Sequence, residues 1–264
     1  MRFDDPAWRQ APLRTGLRVA TSLVRRSLPG TTTRVAVPYD DGRSLIYADL
    51  HTPLGLQLYR FGHHDPNLTL VRRLLSPGDV FVDGGANIGL FTLVAAQRVG
   101  AQGKVIAYEP GRVSRMRLME NVVQNQMSQV DVMPFAPSSA AGEAATIDAT
   151  VVGADLRRLV LMKLYLDGAE YAALRGAEEV LHAVHPDLII EVDQPHLALM
   201  GSSAEEVMGL LRAHDYELYR LQSDDGSLSL VPAAEPGAAA AAHSPHVFAT
   251  VDPERVRSHG LLVR

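Results

Sequence analysis

A glycine-rich stretch next to an acid is the part of the sequence best suited to chemistry. Residues 79–90 read Asp-Val-Phe-Val-Asp-Gly-Gly-Ala-Asn-Ile-Gly-Leu, an apolar run that ends in Asp83 and continues into three glycines. Glycines at such a turn allow close backbone approach, and a following helix offers unpaired N–H groups to a carboxylate or phosphate. The stretch therefore predicts a site for an anionic group, of the kind that nicotinamide, flavin and S-adenosylmethionine (SAM) binders share.

Two acids narrow the choice of ligand. Asp83 ends the predicted strand, where its charge would repel a pyrophosphate but suit the ammonium group of SAM. Glu109 comes 26 residues later, at the end of a second apolar run. A carboxylate there accepts hydrogen bonds from ribose hydroxyls in nucleotide-binding folds. The structural alternatives are a helix N-cap for Asp83 and a solvated strand-end acid for Glu109. The order strand, turn, helix, strand and acid favours the nucleoside interpretation.

Two later segments place charged and polar side chains at the ends of predicted strands. Residues 163–170 read Lys-Leu-Tyr-Leu-Asp-Gly-Ala-Glu, and residues 191–193 read Glu-Val-Asp. If the ligand is SAM and the acceptor is an alcohol, methyl transfer requires a positioned acceptor and a carboxylate, histidine or metal that removes the alcohol proton. Such groups belong where the central strands end. The candidate catalytic residues are Lys163, Tyr165, Asp167, Glu191 and His196.

The same segments offer ligands for a divalent metal ion. The chain contains no cysteine, so any metal must bind to oxygen or imidazole. Asp167, Glu191 and Asp193 are the candidate ligands for Mg²⁺ or Mn²⁺, because these ions prefer oxygen ligands. The structural alternative is that Glu170 caps a helix and Lys163 pairs with one of the acids. Each residue taken singly fits both interpretations, whereas the cluster favours catalysis.

Apolar runs that alternate with helical stretches from about residue 67 onward predict the elements that position these residues. Such alternation is typical of βαβ units and a parallel sheet. The predicted strands cover residues 80–82, 105–108, 130–134, 160–166 and 188–192, and the predicted helices cover residues 89–98, 112–125, 170–182 and 204–213. Three further runs are expected to add antiparallel strands at one edge, at 216–221, 227–231 and 246–251. The prediction is a doubly wound α/β sheet.

The chain before the sheet has a different pattern. Apolar residues at helical spacing, with arginines between them, predict an amphipathic helix over residues 12–28. Its apolar face is expected to pack on the main domain, and a membrane-surface helix is the alternative. Short runs at 34–37 and 44–48 predict a β-hairpin. His63 is a further candidate base. The predicted division is a helix-and-hairpin cap or lid at 1–66 and a main domain at 67–264.

Composition and charge exclude several classes of protein. The formal net charge is -5 and no long basic block occurs, so nucleic acid is not an expected partner. Apolar residues make up 47% of the chain, which is typical of a globular protein rather than a disordered one. Arginines interrupt the first 30 residues, so neither a signal peptide nor a membrane span is predicted and a cytoplasmic location is expected. The sequence is compatible with a homo-oligomer.

Several motifs occur in the order found in one family of enzymes. They are Gly78 to Leu90, Tyr108-Glu-Pro110, Asn121 and Asn125, Lys163 to Glu170 with Leu174 and Gly176, Pro186 to Glu191, and Gly201-Ser-Ser203. Over roughly residues 70–221 the chain resembles the FkbM family of SAM-dependent methyltransferases. The resemblance implies a mostly parallel, seven-stranded class I methyltransferase (Rossmann-like) fold with SAM as methyl donor. It also implies a small-molecule or saccharide acceptor, typically a hydroxyl of a sugar or secondary metabolite.

The predicted site departs from the family pattern in two places. The pattern Lys-Ile-Asp-Val-Glu-Gly-Ala-Glu differs here because Tyr165 replaces the first acid and Asp167 replaces the glutamate. The connection 135–146, an expected place for adenine and acceptor contacts, is shorter than in the family. These departures motivate an alternative, a catalytically degenerate methyltransferase fold that serves as a binding subunit.

A nicotinamide oxidoreductase is disfavoured by Asp83 and by the lack of a Tyr-x-x-x-Lys pair. The predicted cofactor-binding residues are Asp83, Gly84, Gly85, Asn87, Gly89, Glu109, Pro110 and Ser138.

Overall fold

The structure is a computed structural model and divides into two compact units. It describes residues 12–27, 33–62, 65–139, 146–224, 227–233 and 245–263. The smaller unit comprises residues up to 65 together with 123–125, and the larger comprises 66–122 and the chain from 126 onward. Within the described ranges, no helix is long and apolar enough to cross a membrane.

The smaller unit combines two helices with a two-stranded hairpin. Helix α1 (Pro12–Ser27) comes first, β1 (Arg34–Tyr39) and β2 (Ser44–Asp49) pair antiparallel, and α2 (Pro53–Phe61) follows. The sequence predicts the first helix and the hairpin but not α2. The signal for α2 is Thr52, whose side chain caps the helix by accepting the Gly55 N–H at 3.0 Å.

The apolar stripe of α1 is exposed, whereas the sequence predicts that it is buried. Leu17 and Val24 lie on that stripe and are 69% and 56% exposed. The buried side of the helix carries Val19 together with the polar residues Thr15 and Ser22. The Ser22 hydroxyl accepts a hydrogen bond from Arg60 Nε at 2.8 Å. In this orientation α1 makes a polar contact with α2 through Ser22 and Arg60. The spacing of apolar residues cannot predict a contact between polar side chains.

The larger unit is a central sheet with helices between most of its strands. Its strands are β3 (Val80–Gly84), β4 (Lys104–Tyr108), β5 (Val130–Met133), β6 (Leu159–Leu164), β7 (Asp187–Glu191), β8 (Glu217–Asp224), β9 (Ser227–Pro232), β10 (His246–Thr250) and β11 (Leu262–Val263). Its helices are α3 (Leu68–Leu74), α4 (Leu90–Val99), α5 (Arg112–Gln124), α6 (Ile147–Thr150), α7 (Glu170–Arg175), α8 (Glu178–Ala183), α9 (Gln194–Leu199), α10 (Ala204–Ala213) and α11 (Pro253–Ser258).

The strand order confirms the predicted doubly wound, mostly parallel sheet. The order is β11-β9-β8-β10-β7-β6-β3-β4-β5, and β5, β4, β3, β6 and β7 run parallel. This parallel part repeats the order 3-2-1-4-5 of nucleotide-binding sheets, in which the strand order reverses between the first and fourth strands. Here that switch point lies between β3 and β6. The described sheet has nine strands rather than seven because β9 and β11 extend it beyond β8.

The three predicted last strands lie at one edge of the parallel part of the sheet, as expected, and β10 is the one that pairs with β7. Strand β10 lies inside the sheet, antiparallel to both β7 and β8. Residues 247–250 of β10 are all buried, which suits an interior strand covered on both faces. Because β10 runs opposite to β7, its first residue, His246, pairs with Glu191 at the end of β7. This reversal brings the start of a late strand to the carboxyl ends of the parallel ones.

The predicted helix 170–182 is two helices, α7 and α8, separated at Gly176. A Cβ at Gly176 would lie 1.9 Å from the carbonyl oxygen of Ser138, so the connection after β5 packs directly against this break. Asp148 then accepts the amide N–H groups of Glu179 and Val180, at 3.1 and 3.0 Å, at the start of α8. The end of the predicted helix 204–213 is correct, and Ser203 caps its start by accepting the Glu206 N–H at 3.2 Å.

Candidate active site

Two groups of polar residues meet the switch point from opposite sides. We call the turn Gly84–Gly89 together with Glu109 the cofactor edge, because it follows β3 and β4. We call Tyr165, Asp167, Glu191, His196 and His246 the acceptor edge, because these residues surround the carboxyl ends of β6 and β7. Ligands of open parallel sheets bind at this place, outside the carboxyl ends of the strands.

Glu109 holds the glycine-rich turn against the end of β4. Its Oε2 accepts the Asn87 N–H at 2.7 Å, and its Oε1 accepts the Gly111 N–H at 2.7 Å. Arg115 adds hydrogen bonds to the carbonyl oxygens of Glu109 and Pro110, at 2.9 and 2.8 Å. The structure thus brings together Asn87, Glu109 and Pro110, as the sequence predicts. Each carboxylate oxygen has two acceptor lone pairs, so Glu109 fits a ribose diol in addition to these amides.

The glycines of the turn are required by protein packing. A Cβ at Gly85 would lie 1.9 Å from the carbonyl oxygen of Tyr165, and one at Gly84 would lie 2.8 Å from Leu164 Cδ2. Gly85 and Gly89 also have positive φ values of 73° and 101°. The sequence predicts that these glycines admit a ligand. Their contacts show that the absence of side chains at these glycines makes room for the end of the neighbouring strand β6. This close approach of β6 sets the width of the switch point.

Asp83 is buried against protein groups, and its contact with the ammonium group of SAM stays a prediction. Its side chain is fully buried. Lys163 Nζ lies 3.1 Å from its Oδ1, and Thr92 Oγ1 donates to its Oδ2 at 2.6 Å. Burial of a carboxylate costs free energy unless a partner compensates the charge, and both partners are on neighbouring elements. Asp83 therefore ties β3 to β6 and α4.

Lys163 is a buried residue that supports the glycine-rich turn. It is 2% exposed, and besides Asp83 its ammonium donates to the carbonyl oxygens of Gly84 and Gly85, at 2.9 and 2.8 Å. The ammonium also lies 4.6 Å from the ring centroid of Tyr165. The structural alternative is that Lys163 pairs with an acid of the later cluster, but its observed partner is Asp83. Its catalytic role stays a prediction, and its observed contacts support the turn.

Three candidate residues of the acceptor edge come together. Asp167, Glu191 and His196 each present one ligand atom, and these atoms lie within 4.8 Å of one another. Asp167 is exposed and has a φ of 52°, which turns the chain directly after β6. Gly168 lets α9 approach, since a Cβ there would lie 2.2 Å from the His196 carbonyl oxygen. The close approach places His196 beside the two acids.

Asp193 is not part of this group of three in the described structure. Its Oδ2 lies 3.9 Å from His196 Nδ1, and the histidine takes the place that the sequence predicts for Asp193 among the metal ligands. Two carboxylates and one imidazole form a donor set that suits Mn²⁺ or Mg²⁺. The group therefore fits a divalent ion, with His196 substituted for Asp193.

Two residues were not predicted from the sequence. His246 belongs to the acceptor edge, and Asn67 supports it. The imidazole of His246 stacks on Tyr165, with ring centroids 4.4 Å apart and an interplanar angle of 6°. Asn67 Nδ2 donates to Tyr165 Oη at 2.9 Å and lies 3.1 Å from His246 Nδ1. The only sequence signal for His246 is its position at the start of a strand, which becomes informative once β10 is known to be antiparallel and interior.

The two buried acids beside β7 have opposite pKa shifts. The imidazole of His246 faces Glu191 and lowers the pKa of that carboxyl group, with help from the charges of His196 and Lys163. Burial raises the pKa of Glu170, and the Leu166 N–H that it accepts at 2.6 Å offsets only part of this. Glu191 is therefore ionised at neutral pH. Glu170 supports the turn before α7 by accepting the Leu166 N–H, and the structural alternative that it caps this helix is wrong, because α7 has no side-chain cap.

Two predicted residues do not enter this geometry. Ser138 is half-buried in the connection after β5, and its carbonyl oxygen packs on Gly176. Its contact with adenine stays a prediction. His63 lies outside the described residues.

A family comparison agrees with the motifs. Residues 142–218 match a family model described as the methyltransferase FkbM domain, a range that includes β6 and β7. The resemblance to the FkbM family is confirmed within that range, and the match supports a SAM-dependent methyltransferase. No curated protein matches the chain significantly.

Several solved structures are similar at low identity. A SAM-dependent O-methyltransferase of Thermotoga maritima shares 14% identity over 86% of this chain and 95% of its own, with a TM-score of 0.44. A SAM-dependent methyltransferase from Aquifex aeolicus shares 16% over 76% and 93%, with a TM-score of 0.42. TYW2 of M. jannaschii, in complex with AdoMet, shares 15% over 84% and 86%, with a TM-score of 0.43. At these values the likeness supports no statement about the acceptor.

Proposed function

We propose that this chain, whose residues 142–218 match the FkbM methyltransferase domain, is a SAM-dependent O-methyltransferase. The proposed acceptor is a hydroxyl group of a sugar, a glycan or a secondary metabolite. One observation carries the proposal: a carboxylate suited to a ribose diol and an ionised carboxylate suited to an alcohol proton both lie at the carboxyl ends of the parallel strands. Glu109 is the first and Glu191 is the second.

The residues of the chain divide the work of the reaction. SAM, when bound, supplies a methyl group on a positively charged sulfur. Glu109 binds the ribose hydroxyls, and the Asn87 amide that it accepts keeps the turn beside it. Glu191 accepts the proton that the acceptor hydroxyl loses as the new bond forms. Asp167 and His196, whose polar atoms lie within 4.8 Å of Glu191, orient that hydroxyl.

A divalent ion is a proposed aid to this chemistry. Asp167, Glu191 and His196 would hold Mg²⁺ or Mn²⁺, which would lower the pKa of a coordinated hydroxyl group. Titration of the metal-free protein with Mn²⁺ tests this point separately from catalysis. Binding that Asp167→Asn abolishes supports the ion, and no binding at millimolar Mn²⁺ removes it from the proposal.

Calorimetry and turnover with acceptors test the proposal as a whole. SAM and S-adenosylhomocysteine are expected to bind, and methylation of a panel of sugars and hydroxylated metabolites is followed by mass spectrometry. Glu191→Gln is expected to lower kcat about 10²-fold to 10⁴-fold, because it removes the proton acceptor but leaves Glu109 unchanged. Glu205→Gln, at an exposed position of α10, is the matched control. No cofactor binding at millimolar concentration would refute the proposal.

A degenerate, non-catalytic methyltransferase fold is the second candidate. The observation that favours it is Tyr165, which replaces an acid of the family pattern and is engaged by Asn67 and His246. Such a protein would bind SAM with no turnover on any acceptor. Equal product formation by the wild type and Glu191→Gln, at background level, would select this candidate.

A further inference from the structure

The side chains of Asn67, Tyr165 and His246 form a fixed group directly beside Glu191. They come from three distant parts of the chain: the residue before α3, the end of β6 and the start of β10. The rings of Tyr165 and His246 are almost parallel, at 6°, and Phe91 meets Tyr165 edge-on with centroids 5.5 Å apart. Tyr165 therefore contacts both rings, and it serves as a platform for the imidazole.

Asn67 determines which ring nitrogen of His246 carries the proton. An amide NH₂ group has two hydrogens to donate and no lone pair to accept with. Asn67 Nδ2 donates to Tyr165 Oη at 2.9 Å and faces His246 Nδ1 at 3.1 Å. Nδ1 is therefore the acceptor, so the proton of the neutral ring resides on Nε2.

The Nε2 side of the ring faces Glu191. His246 Nε2 lies 3.7 Å from Glu191 Oε1, and His246 and Glu191 are partners in the β10–β7 register. Both side chains are largely shielded, with exposures of 22% and 19%. At 3.7 Å the ring acts on the shielded carboxylate by charge and close packing, and a polar group this near limits the directions in which the carboxylate can turn.

We propose that Asn67 and His246 are positioning residues for the methyl-transfer reaction. Asn67 sets the Nε2–H tautomer of His246, and His246 holds the Glu191 carboxylate in the orientation in which it accepts the acceptor's proton. This inference rests on the proposed function, since it concerns the role of Glu191. It also explains the departure at Tyr165: the phenol ring supplies the surface on which the orienting imidazole stacks. No contact of Asn67 or His246 with the substrate is required.

The first experiment reads the tautomer without cofactor, acceptor or turnover. The protein is labelled with ¹⁵N-histidine, and long-range ¹H–¹⁵N spectra are recorded at a pH where the ring is neutral. The resonance of His246 is assigned from its loss in His246→Gln. The expected result is the Nε2–H tautomer in the wild type and a mixture of tautomers in Asn67→Ala. An Nδ1–H tautomer in the wild type overturns the inference.

The second experiment separates positioning from packing. His246→Phe keeps the ring stack but has no donor, and His246→Gln keeps a donor. We expect kcat to fall about 10-fold to 100-fold in His246→Phe, as is typical when a group that orients a functional side chain is removed. The KM for SAM stays unchanged, and His246→Gln recovers part of kcat. His182→Gln, at an exposed position of α8, is the control. Equal losses in the Phe and Gln variants overturn the positioning role.

The two experiments distinguish failure of the inference from failure of the proposed function. Absence of SAM binding refutes the function, yet the tautomer of His246 remains measurable. Methyl transfer with an Nδ1–H tautomer refutes the inference and leaves the function standing.

Discussion

The cofactor edge and the acceptor edge differ in how their polar groups are held. At the cofactor edge, the Glu109 carboxylate accepts backbone amides of Asn87 and Gly111, which are close to it in one continuous βαβ unit. At the acceptor edge, Glu191 is surrounded by side chains alone, from His246, His196 and Asp167. Backbone groups are present whatever the residue types are, whereas side-chain partners exist only where the sequence provides them.

The difference indicates which edge tolerates change. The cofactor edge depends on the backbone path, so a substitution that adds atoms to the turn is expected to harm it most. The acceptor edge depends on residue identity. Tyr165 can therefore replace an acid of the family pattern where His246 is present to stack on its ring. Lys163 belongs to both edges, because it contacts the carbonyl oxygens of the turn and the ring of Tyr165.

The largest effect on stability is expected when Lys163, which contacts both edges, is replaced. Lys163→Met leaves Asp83 as an unpaired buried charge, which should lower the free energy of unfolding by about 3–5 kcal/mol. Urea unfolding measures the loss. Lys104→Met is a matched control, because Lys104 pairs with Asp131 at partly exposed side chains, 35% and 47%. That pair is worth about 0–1 kcal/mol. Equal losses in the two variants would contradict the role of Lys163.

The next effect concerns the backbone path of the cofactor edge. Gly85→Ala introduces a Cβ 1.9 Å from the Tyr165 carbonyl oxygen at a φ of 73°. Backbone strain and overpacking together should cost about 2–4 kcal/mol. Gly209→Ala is the control, because it lies within α10 with nothing within 4 Å of the added Cβ. That variant should gain up to about 1 kcal/mol. A neutral Gly85→Ala would show that the turn is not held by packing.

A smaller effect tests whether the cofactor edge binds its ligand independently of the acceptor edge. Glu109→Gln removes the charge and turns an NH₂ group toward one of the two amides that Glu109 accepts. Hydrogen bonds to charged groups contribute about 1.5–3 kcal/mol, so S-adenosylhomocysteine should bind roughly 10-fold to 100-fold more weakly. Calorimetry measures this loss, while the His246 tautomer should not change. A changed tautomer would mean that the two edges are coupled.

The smallest effect is a pH dependence at the cofactor edge. Burial raises the pKa of Tyr108 from 10.0 to about 12, against the hydrogen bond with Thr150. A raised folded-state pKa means that stability is full below pH 10 and is lost as the pH rises toward 12. At pH 11 the loss should be about 1.4 kcal/mol. Tyr108→Phe should reduce the slope between pH 9 and 11 in denaturation curves.

Other tyrosines set the baseline for that measurement. Burial raises the pKa of Tyr216 and that of Tyr219, so a residual alkaline slope is expected in Tyr108→Phe. Identical slopes in the wild type and the variant would show that Tyr108 ionises equally well in the folded and unfolded states.

Much of the fold and half of the site could be predicted because their signals are local. Alternating apolar runs predict the parallel sheet, and β3 to β6 begin or end within one or two residues of the predicted positions. Glu109 could be predicted because its distance along the chain from the turn reflects one βαβ unit. The direction in which Asp83 points could not, because the deciding partner, Lys163, is 80 positions away.

Residue types and their order in the sequence therefore determine the sheet, the glycine turn and the presence of acids at the strand ends. The tertiary structure decides which of these acids is buried with a partner and which remains accessible. It also brings Asn67 and His246 to Glu191, because the reversed direction of β10 carries its first residue to the ends of the parallel strands. Periodicity reports the burial of single elements, whereas pairing between distant strands depends on the packing of the whole sheet.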